Sequence, residues 1–392
     1  LDGSQKPKHR KLVKLIWVYK IKRDGSLKSR LCVQGCTQMP FVDYNQTWCA
    51  ALRASSLRVI SAAAAQDGLS LRRWDFVSAY LQGDLLEGEV VYCSLPAGYE
   101  EITGESAIGA DGLPRICKVV KPIYGMAQAG RRWQRSLFPW MLSQGFTQSS
   151  HDSCVFFKEI KGKGGSPDER LLVGVYVDDL YVAYKHGGVL YDEFISALQG
   201  KWAVDDEGEV QDLLGVEISR DKHFVTLKQT AYILKMVANH FVEPPAQSKR
   251  NKLPCDETLP QMVADALANV DERSAADIKA YQSLVGALLY ASTNTRPDIA
   301  FAVGYLCRAM AKPTPELHDA ALRVLEYLYR TRDIGLRYAH RPGPVDGYSD
   351  SDWATRHSTS GHVFTWNQAA ISWGSRKQGS IALSSCEAEI MA

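Results

Sequence analysis

The segment LLVGVYVDDLYVAY, from Leu171 to Tyr184, places two adjacent carboxylates between apolar and β-branched residues. This pattern predicts a tight β-hairpin with its arms in a core and with Asp178 and Asp179 at its tip. Burying both carboxylates is unfavourable, because each loses solvation and repels the other. Bound Mg²⁺ would offset that cost, since Mg²⁺ prefers oxygen ligands. A polar Asp-Asp turn on a surface hairpin explains the same residues, so other parts of the chain must decide.

Length and charge limit the possible architectures. A chain of 392 residues with 45% hydrophobic and 23% charged residues predicts two or three ordinary globular domains. The net charge of +2 is unevenly distributed, because ten Lys and Arg residues lie from Lys6 to Arg30 with Asp24 as the one acid. Such a basic segment suits a polyanionic partner, and a solvated basic tail explains it equally well.

Cysteine usage and hydropathy bear on the compartment. The nine cysteines are scattered and form no CxxC framework, which predicts a reducing intracellular environment. No secretory segment and no apolar run of membrane-spanning length is present, so no membrane partner is expected. The chain starts at Leu1 without Met and stops at Ala392, and we expect it to be a fragment of a longer protein.

A basic hairpin is predicted near the N-terminus. Residues Leu15 to Cys36 form two strand patterns around an Asp24-Gly25 turn. Several cations lie close to that turn: Lys20, Lys22, Arg23, Lys28 and Arg30. On a rigid hairpin they could bind a triphosphate, because arginine makes bidentate phosphate contacts. An exposed, charged edge strand that prevents aggregation is the alternative.

A third carboxylate follows a strand pattern earlier in the chain. The strand through Trp74 ends near Asp75, and a turn or short helix returns Tyr80 over it. Strand ends of this kind often carry ligand chemistry, but only the fold could bring Asp75 to Asp178. A helix after Gly130 carries Trp133 among arginines, which suits contact with phosphates and bases or an amphipathic surface helix equally well.

The second half of the chain combines strands and helices. The stretches 212–220 and 224–227 predict a strand pair, and Thr230 to Phe241 predicts an amphipathic helix before a linker. Three more helices are predicted, over 281–293, 298–311 and 315–332, the last with Thr314 as its N-cap. After Pro344 the pattern changes to strands, followed by the start of a helix from Ser384.

Several motifs occur in a characteristic order: WDFVSAYLQGDL, PIYGMAQAGRRW, YVDDL, LLGVEI, YQSLVGALLYASTNTRPDIAFAV, SDSDWA, STSGHVF and SSCEAEIMA. In this order they resemble the reverse transcriptase and RNase H region of the Pol polyprotein of copia-type LTR retrotransposons. The resemblance implies an α+β fold: a right-hand polymerase of fingers, palm and thumb at 1–243, a linker and helical connection at 244–343, and a truncated RNase H-like α/β domain at 344–392.

The resemblance also implies the site residues. Asp75, Asp178 and Asp179 match the catalytic aspartates, which hold two Mg²⁺ ions, with Mn²⁺ as an alternative. The implied nucleotide-binding residues are Lys22, Arg23, Arg30, Tyr80 and Gln128, with Tyr80 as the aromatic gate that excludes a ribose 2′-hydroxyl. Leu214-Gly215 resembles the primer-grip turn.

The implied activity is that of an RNA-directed DNA polymerase with an RNA template, a DNA primer, an RNA–DNA hybrid and dNTPs as its partners. Integrase and protease segments would be neighbours in the same polyprotein, which implies DNA integration by the whole element. A cytoplasmic virus-like particle is the implied location, with the nucleus as a further one.

The RNase H match is incomplete. Asp350 and Glu387 match the first two carboxylates of that site, and the remaining family aspartates would lie beyond Ala392, so we expect a vestigial site without RNase H activity. Asp352 is a possible substitute, because a strand would place it on the same face as Asp350.

Two departures from the family pattern, Gly130 for proline and Gln34 for lysine, suit an old genomic copy. An inactive remnant that only binds nucleic acid is therefore the main alternative to an active polymerase. A two-metal nuclease is a weaker alternative, because it would not need the aromatic gate at Tyr80.

Overall fold

A computed structural model describes residues 1–21, 25–161, 168–246, 252–268, 274–353 and 357–392. The predicted nucleotide-binding residues Lys22 and Arg23 lie outside these ranges. The strands are β1 Leu12–Val13, β2 Leu15–Ile21, β3 Leu27–Val33, β4 Ser70–Phe76, β5 Val91–Ser94, β6 Ile116–Val119, β7 Thr147–Gln148, β8 Val155–Ile160, β9 Glu169–Tyr176, β10 Asp179–Tyr184, β11 Val204–Glu209, β12 Asp212–Leu213, β13 Val216–Arg220, β14 Phe224–Lys228, β15 Leu336–Ala339, β16 Val345–Ser351, β17 Thr359–Trp366 and β18 Ala369–Lys377.

The helices are α1 Ala54–Asp67, α2 Tyr99–Thr103, α3 Ala129–Ser143, α4 Val189–Lys201, α5 Thr230–His240, α6 Leu259–Ala268, α7 Ala275–Asn294, α8 Ala300–Arg308, α9 Pro315–Arg330 and α10 Ser385–Ile390. Short 3₁₀ helices span Gly3–Gln5, Gly35–Thr37, Ala79–Gln82 and Pro297–Ile299. Among the helices that the structure describes, none is both long enough and apolar enough to cross a membrane.

The chain forms two compact units. The first comprises Leu1–Leu52, Arg73–Val182 and Gly187–Gly208, and the second comprises Arg53–Arg72, Ala183–His186 and Glu209–Ala392. The mixture of strands and helices confirms the α and β content of the predicted fold. The fingers, palm and thumb assignment and the boundaries at 243 and 343 stay predictions.

The Asp178 hairpin lies in the middle of a six-stranded sheet in the order β11-β4-β10-β9-β8-β7. The pairings of β7 with β8 and of β8 with β9 are antiparallel. Val173 and Val175 of β9 and Leu180 and Val182 of β10 are buried. The predicted hairpin with its arms in a core is therefore confirmed, and it is not a surface turn.

An aromatic cluster supports the hairpin turn. Trp133 of α3 contacts Phe76 and Trp202 edge to face, with ring centroids 4.7 and 5.1 Å away. Its indole Nε1 donates a hydrogen bond to the carbonyl of Val177, 2.7 Å away, in the turn itself. Trp133 and Arg132 are both buried, which argues against one of the two alternatives left open by the sequence, contact of these side chains with phosphates and bases.

The basic hairpin predicted near the N-terminus is also present. β2 and β3 pair antiparallel from Leu15 opposite Val33 to Ile21 opposite Leu27. Lys20 lies opposite Lys28, and Arg30 lies opposite Val18. The hairpin therefore holds cations on an ordered two-stranded element of the first unit.

In the second unit, helices α5 to α9 share one apolar core, which includes Ile233, Leu284, Val303 and Leu325. The three helices predicted over 281–332 are confirmed, with shifted ends. Thr314 is the N-cap of α9, because its side chain accepts a hydrogen bond from the backbone N–H of Leu317.

The second unit also contains the sheets β12-β13-β14-β15 and β16-β17-β18. The alanine-rich helix α1 packs against β14, β15 and β18, and small side chains such as Ala62 and Ala64 allow a close approach. Arg58 of α1 is buried and donates hydrogen bonds to the carbonyls of Thr293, Asn294 and Ile371.

Candidate active site

The fold brings two of the three predicted catalytic aspartates to one cavity of about 530 Å³. Asp75 lies near the end of β4 and Asp178 lies in the turn of the β9–β10 hairpin. The backbone N–H of Phe76 donates to the carbonyl of Asp178 over 2.8 Å, which fixes the two segments side by side. The cavity is lined by Lys28, Ser29, Arg30, Leu31, Asp75, Phe76, Val77, Ser78, Leu81, Ile123, Tyr124, Asp178 and Asp205.

Tyr124 contacts both a cation and a carboxylate that line this cavity. The Arg30 guanidinium lies 4.7 Å from the centre of the Tyr124 ring, within the range of a cation–π contact. The Tyr124 hydroxyl donates to Asp178 Oδ2 over 3.3 Å. The backbone of Val33 donates to the Tyr124 carbonyl over 2.8 Å, which connects the end of β3 to this residue. Arg30 and Asp178 are thus oriented by the same side chain.

Asp179 has a different environment from Asp178. Arg73 Nε donates to Asp179 Oδ1 over 2.9 Å, and Arg73 Nη2 lies 2.8 Å from the same oxygen. Asp179 is not among the residues that line the cavity, whereas Asp205 of β11 is. The predicted triad is therefore divided into two cavity-lining carboxylates and one ion-paired carboxylate.

The electrostatics of the site reflect an excess of negative charge. Burial, followed by the charges of Asp179, Asp178 and Glu207, raises the pKa of Asp75 to about 6. Burial also raises the pKa of Asp179, and Arg73 opposes that shift. Because repulsion between nearby carboxylates is relieved by a cation, this site favours positive charge in the cavity.

The cavity residues fit a divalent metal ion in part. Asp75 and Asp178 supply the oxygen ligands that Mg²⁺ prefers, and the raised pKa of Asp75 shows that its charge is not fully compensated. Within the described ranges, however, no group of three or more His, Cys, Asp or Glu side chains is arranged to hold a metal ion. Asp75 and Asp178 are the residues that would hold Mg²⁺ here, and Asp179 is engaged by Arg73.

The predicted nucleotide-binding residues Arg30 and Tyr80 differ in their position relative to the cavity. Arg30 lines the cavity. Tyr80 packs on Tyr124, with ring centroids 4.7 Å apart, and does not itself line the cavity. Burial and then the charge of Asp178 raise the pKa of the Tyr80 hydroxyl.

Gln128 lies away from the cavity. Its side chain is fully buried, accepts a hydrogen bond from Gln38 over 3.2 Å and donates to the carbonyl of Asp43 over 3.1 Å. These contacts hold the loop before α1 in place, because they connect it to the N-terminus of α3. The structure thus corrects the expectation that Gln128 faces the nucleotide pocket.

The predicted primer-grip residues form a turn in the second unit. Leu214 and Gly215 connect β12 to β13 and both have positive φ, 54° and 69°. The Leu214 carbonyl accepts a hydrogen bond from the Tyr290 hydroxyl. The predicted turn is present, and its role with a primer stays a prediction.

The two predicted RNase H carboxylates lie on different elements of the second unit. Asp350 of β16 lines a cavity of about 690 Å³. Glu387 accepts a hydrogen bond from the backbone N–H of Leu383 over 2.8 Å at the start of α10. Asp352 lies one residue beyond the end of β16, accepts a hydrogen bond from the backbone N–H of Thr359 and lines the same cavity as Asp350.

Three residues of the site were not identified from the sequence as site residues. Arg73 could have been found, because alternation along β4 places it on the same face as Asp75. Tyr124 lies inside the PIYGMAQ motif without a distinguishing feature of its own. Asp205 has no sequence signal, because its strand is a run of acidic residues.

The chain matches known proteins over most of its length. Residues 2–244 match the family model described as reverse transcriptase (RNA-dependent DNA polymerase). The retrovirus-related Pol polyprotein from transposon TNT 1-94 of Nicotiana tabacum is 31% identical over 98% of this chain and 28% of its own length. That from transposon RE1 of Arabidopsis thaliana is 31% identical over 98% of this chain and 25% of its own length.

A solved structure of foamy viral protease-reverse transcriptase in complex with double-stranded DNA matches 96% of this chain and 54% of that chain, with 10% identity and a TM-score of 0.47. The chain belongs to the reverse transcriptase (RNA-dependent DNA polymerase) family, and its resemblance to the Pol polyprotein of copia-type retrotransposons is confirmed. It spans about a quarter of the length of these two Pol polyproteins.

Proposed function

We propose that this chain is an RNA-directed DNA polymerase that adds deoxynucleotides to a primer 3′-hydroxyl on an RNA template. The observation that carries the proposal is the cavity in which Asp75 and Asp178 are combined with Lys28 and Arg30. Carboxylates and cations in one cavity suit a reaction in which a polyphosphate is attacked by a hydroxyl. We also propose that integrase and protease segments neighbour this chain in the same polyprotein.

The chain's own residues orient the reactants and offset charge. When bound, two Mg²⁺ ions supply the activation of the 3′-hydroxyl and the neutralisation of charge on the leaving pyrophosphate. Asp75 and Asp178 would hold them, and the Tyr124 hydroxyl keeps Asp178 in place. Arg30 and Lys28 line the same cavity, where they can offset the charge of a triphosphate.

Selection of deoxynucleotides is assigned to Tyr80. Its ring is supported by Tyr124, which gives it a fixed position beside the cavity. A rigid ring next to the sugar C2′ would exclude a 2′-hydroxyl by steric contact. The family resemblance also assigns Lys22 and Arg23, which lie outside the described residues, to triphosphate binding.

The RNase H carboxylates are proposed to be vestigial. Glu387 is used to stabilise the start of α10, and Asp352 is bonded to the backbone of Thr359. Glu387 is not among the residues that line the cavity of Asp350, whereas Asp352 is. We therefore expect the chain to extend primers without degrading the RNA strand.

A second candidate function is nucleic-acid binding without catalysis. The ion pair of Arg73 with Asp179, which engages one of the three predicted catalytic carboxylates, favours this alternative. It predicts salt-dependent binding of primer–template through the basic hairpin and no extension at any Mg²⁺ concentration.

Primer extension separates the two candidates. The purified chain is given oligo(dT) on poly(rA) with dTTP and Mg²⁺, beside Asp75→Asn and Asp178→Asn. Asp192→Asn on the exposed face of α4 is the matched control for loss of one carboxylate. Extension by the parent and the control, but not by the two cavity variants, would support the polymerase. If none of the proteins extends the primer while hybrid binding is retained, the result supports nucleic-acid binding without catalysis.

A further inference from the structure

We propose that a cavity of about 240 Å³ in the second unit binds a phosphate group. This cavity, named here the basic cavity, is lined by Lys222, His223, Phe224, Ala339, His340, Arg341 and Gln368. All of these residues belong to the second unit, and none of them has a role in the proposed polymerase reaction. The proposal is carried by the charge of the lining, by one buried nitrogen without a partner and by the ordered backbone that presents both.

The lining of the basic cavity is biased towards basic side chains. Four of the seven lining residues are Lys, His or Arg, and none of the seven is Asp or Glu. Lys222, His223 and Arg341 are exposed to solvent. His340 is half-buried. Because cations around one small space repel each other and a bound anion relieves that repulsion, this composition favours an anionic ligand.

One carboxylate, Asp221, lies next to these basic residues in the sequence. Its Oδ1 accepts hydrogen bonds from the backbone N–H groups of His223 over 2.7 Å and of Phe224 over 2.8 Å. These two bonds, and then the charges of His223 and Arg337, lower the pKa of the Asp221 carboxyl. Asp221 is therefore used to shape its own turn, and its surroundings favour negative charge.

His340 supplies a buried nitrogen without a partner. Its Nε2 atom is buried, and within the described ranges it has no hydrogen-bond partner. Buried polar atoms are nearly always paired, and an exception in a native structure often marks the place of an ion or a water. Because the His340 ring lines the basic cavity, an oxyanion bound there can supply the missing acceptor.

A neighbouring cavity of about 670 Å³ shares Lys222 and His340 with the basic cavity. Its lining also includes three carboxylates: Asp67, Glu209 and Asp221. Like charges oppose an anion in that space. The anion is therefore assigned to the basic cavity and not to its larger neighbour.

Backbone hydrogen bonds fix three chain segments around the basic cavity. The N–H of His340 donates to the carbonyl of His223 over 2.8 Å, one step beyond the last paired residues of β14 and β15. The N–H of Ala339 donates to the carbonyl of Asn367 over 2.9 Å, in the turn between β17 and β18. Asn367 is buried and donates to the carbonyl of Ala62 over 2.9 Å. An ordered backbone lowers the entropy cost of binding a ligand.

Arg341 contributes positive charge, although one edge of its guanidinium is engaged. With its amide oxygen assigned towards Arg341, Gln368 accepts a hydrogen bond from Nε over 3.1 Å and also contacts Nη2. The amide is neutral, so it leaves the charge of the guanidinium uncompensated. A guanidinium has further donors besides these two, and it forms strong charge-assisted bonds with phosphate.

The arrangement of donors suits a tetrahedral oxyanion. Lys222 and His223 come from the turn between β13 and β14, whereas His340 and Arg341 follow β15. Donors from separate segments approach an anion from several directions, in which a phosphate group presents oxygens and a planar carboxylate does not. A water occupies about 30 Å³, so the basic cavity has room for one phosphate group with a few waters. Free phosphate and the backbone of a polynucleotide both present this group.

The first test is titration of the full chain with inorganic phosphate in EDTA, observed by NMR of the histidine rings. The signals of His340 and His223 are identified by their loss in His340→Phe and His223→Gln. We expect both signals to shift together and to saturate with one Kd. The signal of His318 on α9, which does not line the basic cavity, should stay unchanged. An equal response to acetate at the same ionic strength would overturn the assignment of phosphate.

Substitutions of two exposed lysines provide a matched comparison. Lys222→Gln removes one cation from the basic cavity and should raise the Kd of the bound probe about tenfold. Lys235→Gln removes the same charge from the exposed face of α5 and should change the Kd by less than about twofold. Equal Kd values for the two variants would contradict the site.

His340→Phe tests the buried nitrogen, because it keeps a ring and removes the donor. In the parent, excess phosphate should raise the thermal unfolding temperature relative to chloride at the same ionic strength, since a ligand stabilises the state that binds it. This rise should be lost in His340→Phe, and a rise equal to that of the parent would contradict the role of His340. If His340→Phe does not fold, the comparison of Lys222→Gln with Lys235→Gln still decides.

A second probe distinguishes the two sources of the phosphate group. A short oligo(dT) without terminal phosphates presents backbone phosphates only. A shift of the His340 signal with inorganic phosphate alone assigns free phosphate, and a shift with the oligonucleotide assigns a polynucleotide backbone. No response of His340 to either probe would overturn the proposal. Asp178→Asn should keep the response whether or not the parent extends primers, so a failure of this proposal is distinguishable from a failure of the proposed polymerase.

Discussion

Arg73 holds Asp179 in an ion pair, with Arg73 Nη2 only 2.8 Å from Asp179 Oδ1, while the neighbouring Asp178 lines the cavity. The two aspartates are adjacent in the sequence and differ completely in their surroundings. Asp178 belongs to the turn after Val177, and Asp179 begins strand β10. The change from turn to strand directs the two side chains to different partners.

The Arg73–Asp179 pair should contribute to stability. We expect Arg73→Gln to lower the free energy of unfolding by about 1–2 kcal/mol, because a partly buried carboxylate loses a charged donor. Asp179→Asn should lower the free energy of unfolding less in the Arg73→Gln background than in the parent. The difference, measured as a coupling energy in a double-mutant cycle, should be about 1 kcal/mol. Urea unfolding of the four proteins measures this coupling, and strictly additive losses would contradict the pair.

Asp75 should destabilise the metal-free protein at neutral pH. Its pKa of about 6 in the folded chain lies above the ordinary aspartate value, so stability falls as pH rises from about 4 to about 6. After allowance for partial solvent exposure, Asp75→Asn should raise the free energy of unfolding by about 1 kcal/mol at pH 7.5 in EDTA. The gain should vanish near pH 4, where the parent carboxyl is protonated. Thermal unfolding at both pH values tests this, and a gain that persists at pH 4 would refute it.

Tyr124 should affect nucleotide binding through its ring more than through its hydroxyl. Tyr124→Leu removes the cation–π contact with Arg30, for which we expect a loss of about 1–2 kcal/mol, or about a tenfold rise in KM for dTTP. Tyr124→Phe keeps the ring, so its KM should rise less than about threefold. Steady-state extension kinetics provide the comparison. Equal effects of the two variants would contradict the role of the ring.

Cys49 should determine whether an alanine is tolerated at Gly130. Replacing glycine by alanine inside a helix normally stabilises by about 1 kcal/mol. In the parent, the new methyl group would meet Cys49 Sγ at 2.9 Å, so we expect Gly130→Ala to lose most of that gain. In a Cys49→Ala background the full gain should return. Urea midpoints of the four proteins test this, and the same gain in both backgrounds would disprove the contact.

Arg58 should be essential for the second unit. Its guanidinium donates to three backbone carbonyls and lies 4.1 Å from the Trp373 ring centre. Arg58→Leu would remove the donor of all three bonds and leave the buried carbonyls of Asn294 and Ile371 without it, so we expect the free energy of unfolding to fall by about 3–5 kcal/mol. Lys279→Leu on the exposed face of α7 is the control and should stay within about 0.5 kcal/mol. Similar urea midpoints for both variants would contradict this role.

Regular periodicity explains which elements were predictable. The β9–β10 hairpin, the strand carrying Asp75 and the helices of the second unit all have apolar residues at the spacing of their secondary structure. Local signals also predicted the N-cap Thr314, whereas the turn at Leu214-Gly215 was implied by the family resemblance. These features depend on near neighbours in the chain, and for that reason a sequence is sufficient to predict them.

Side-chain environments at the site were less predictable. Gln128, Arg132 and Trp133 belong to one motif, and all three are buried in polar or aromatic contacts and do not line the cavity. Their partners, such as Asp43, Glu89 and Val177, lie more than forty residues away in the chain. A motif indicates that its residues lie in one structural region. It does not show which of them hold the site in place and which contact the substrate.

The sequence by itself determined the family, the hairpin with its two aspartates, and the order of strands and helices, because these follow from motifs and local periodicity. Only the tertiary structure decided that Asp75 and Asp178 share a cavity while Asp179 pairs with Arg73. It also decided that Lys222 and His340 line the basic cavity of the second unit. The physical reason is that burial, ion pairing and cavity lining are set by residues distant in the chain, whose approach depends on packing.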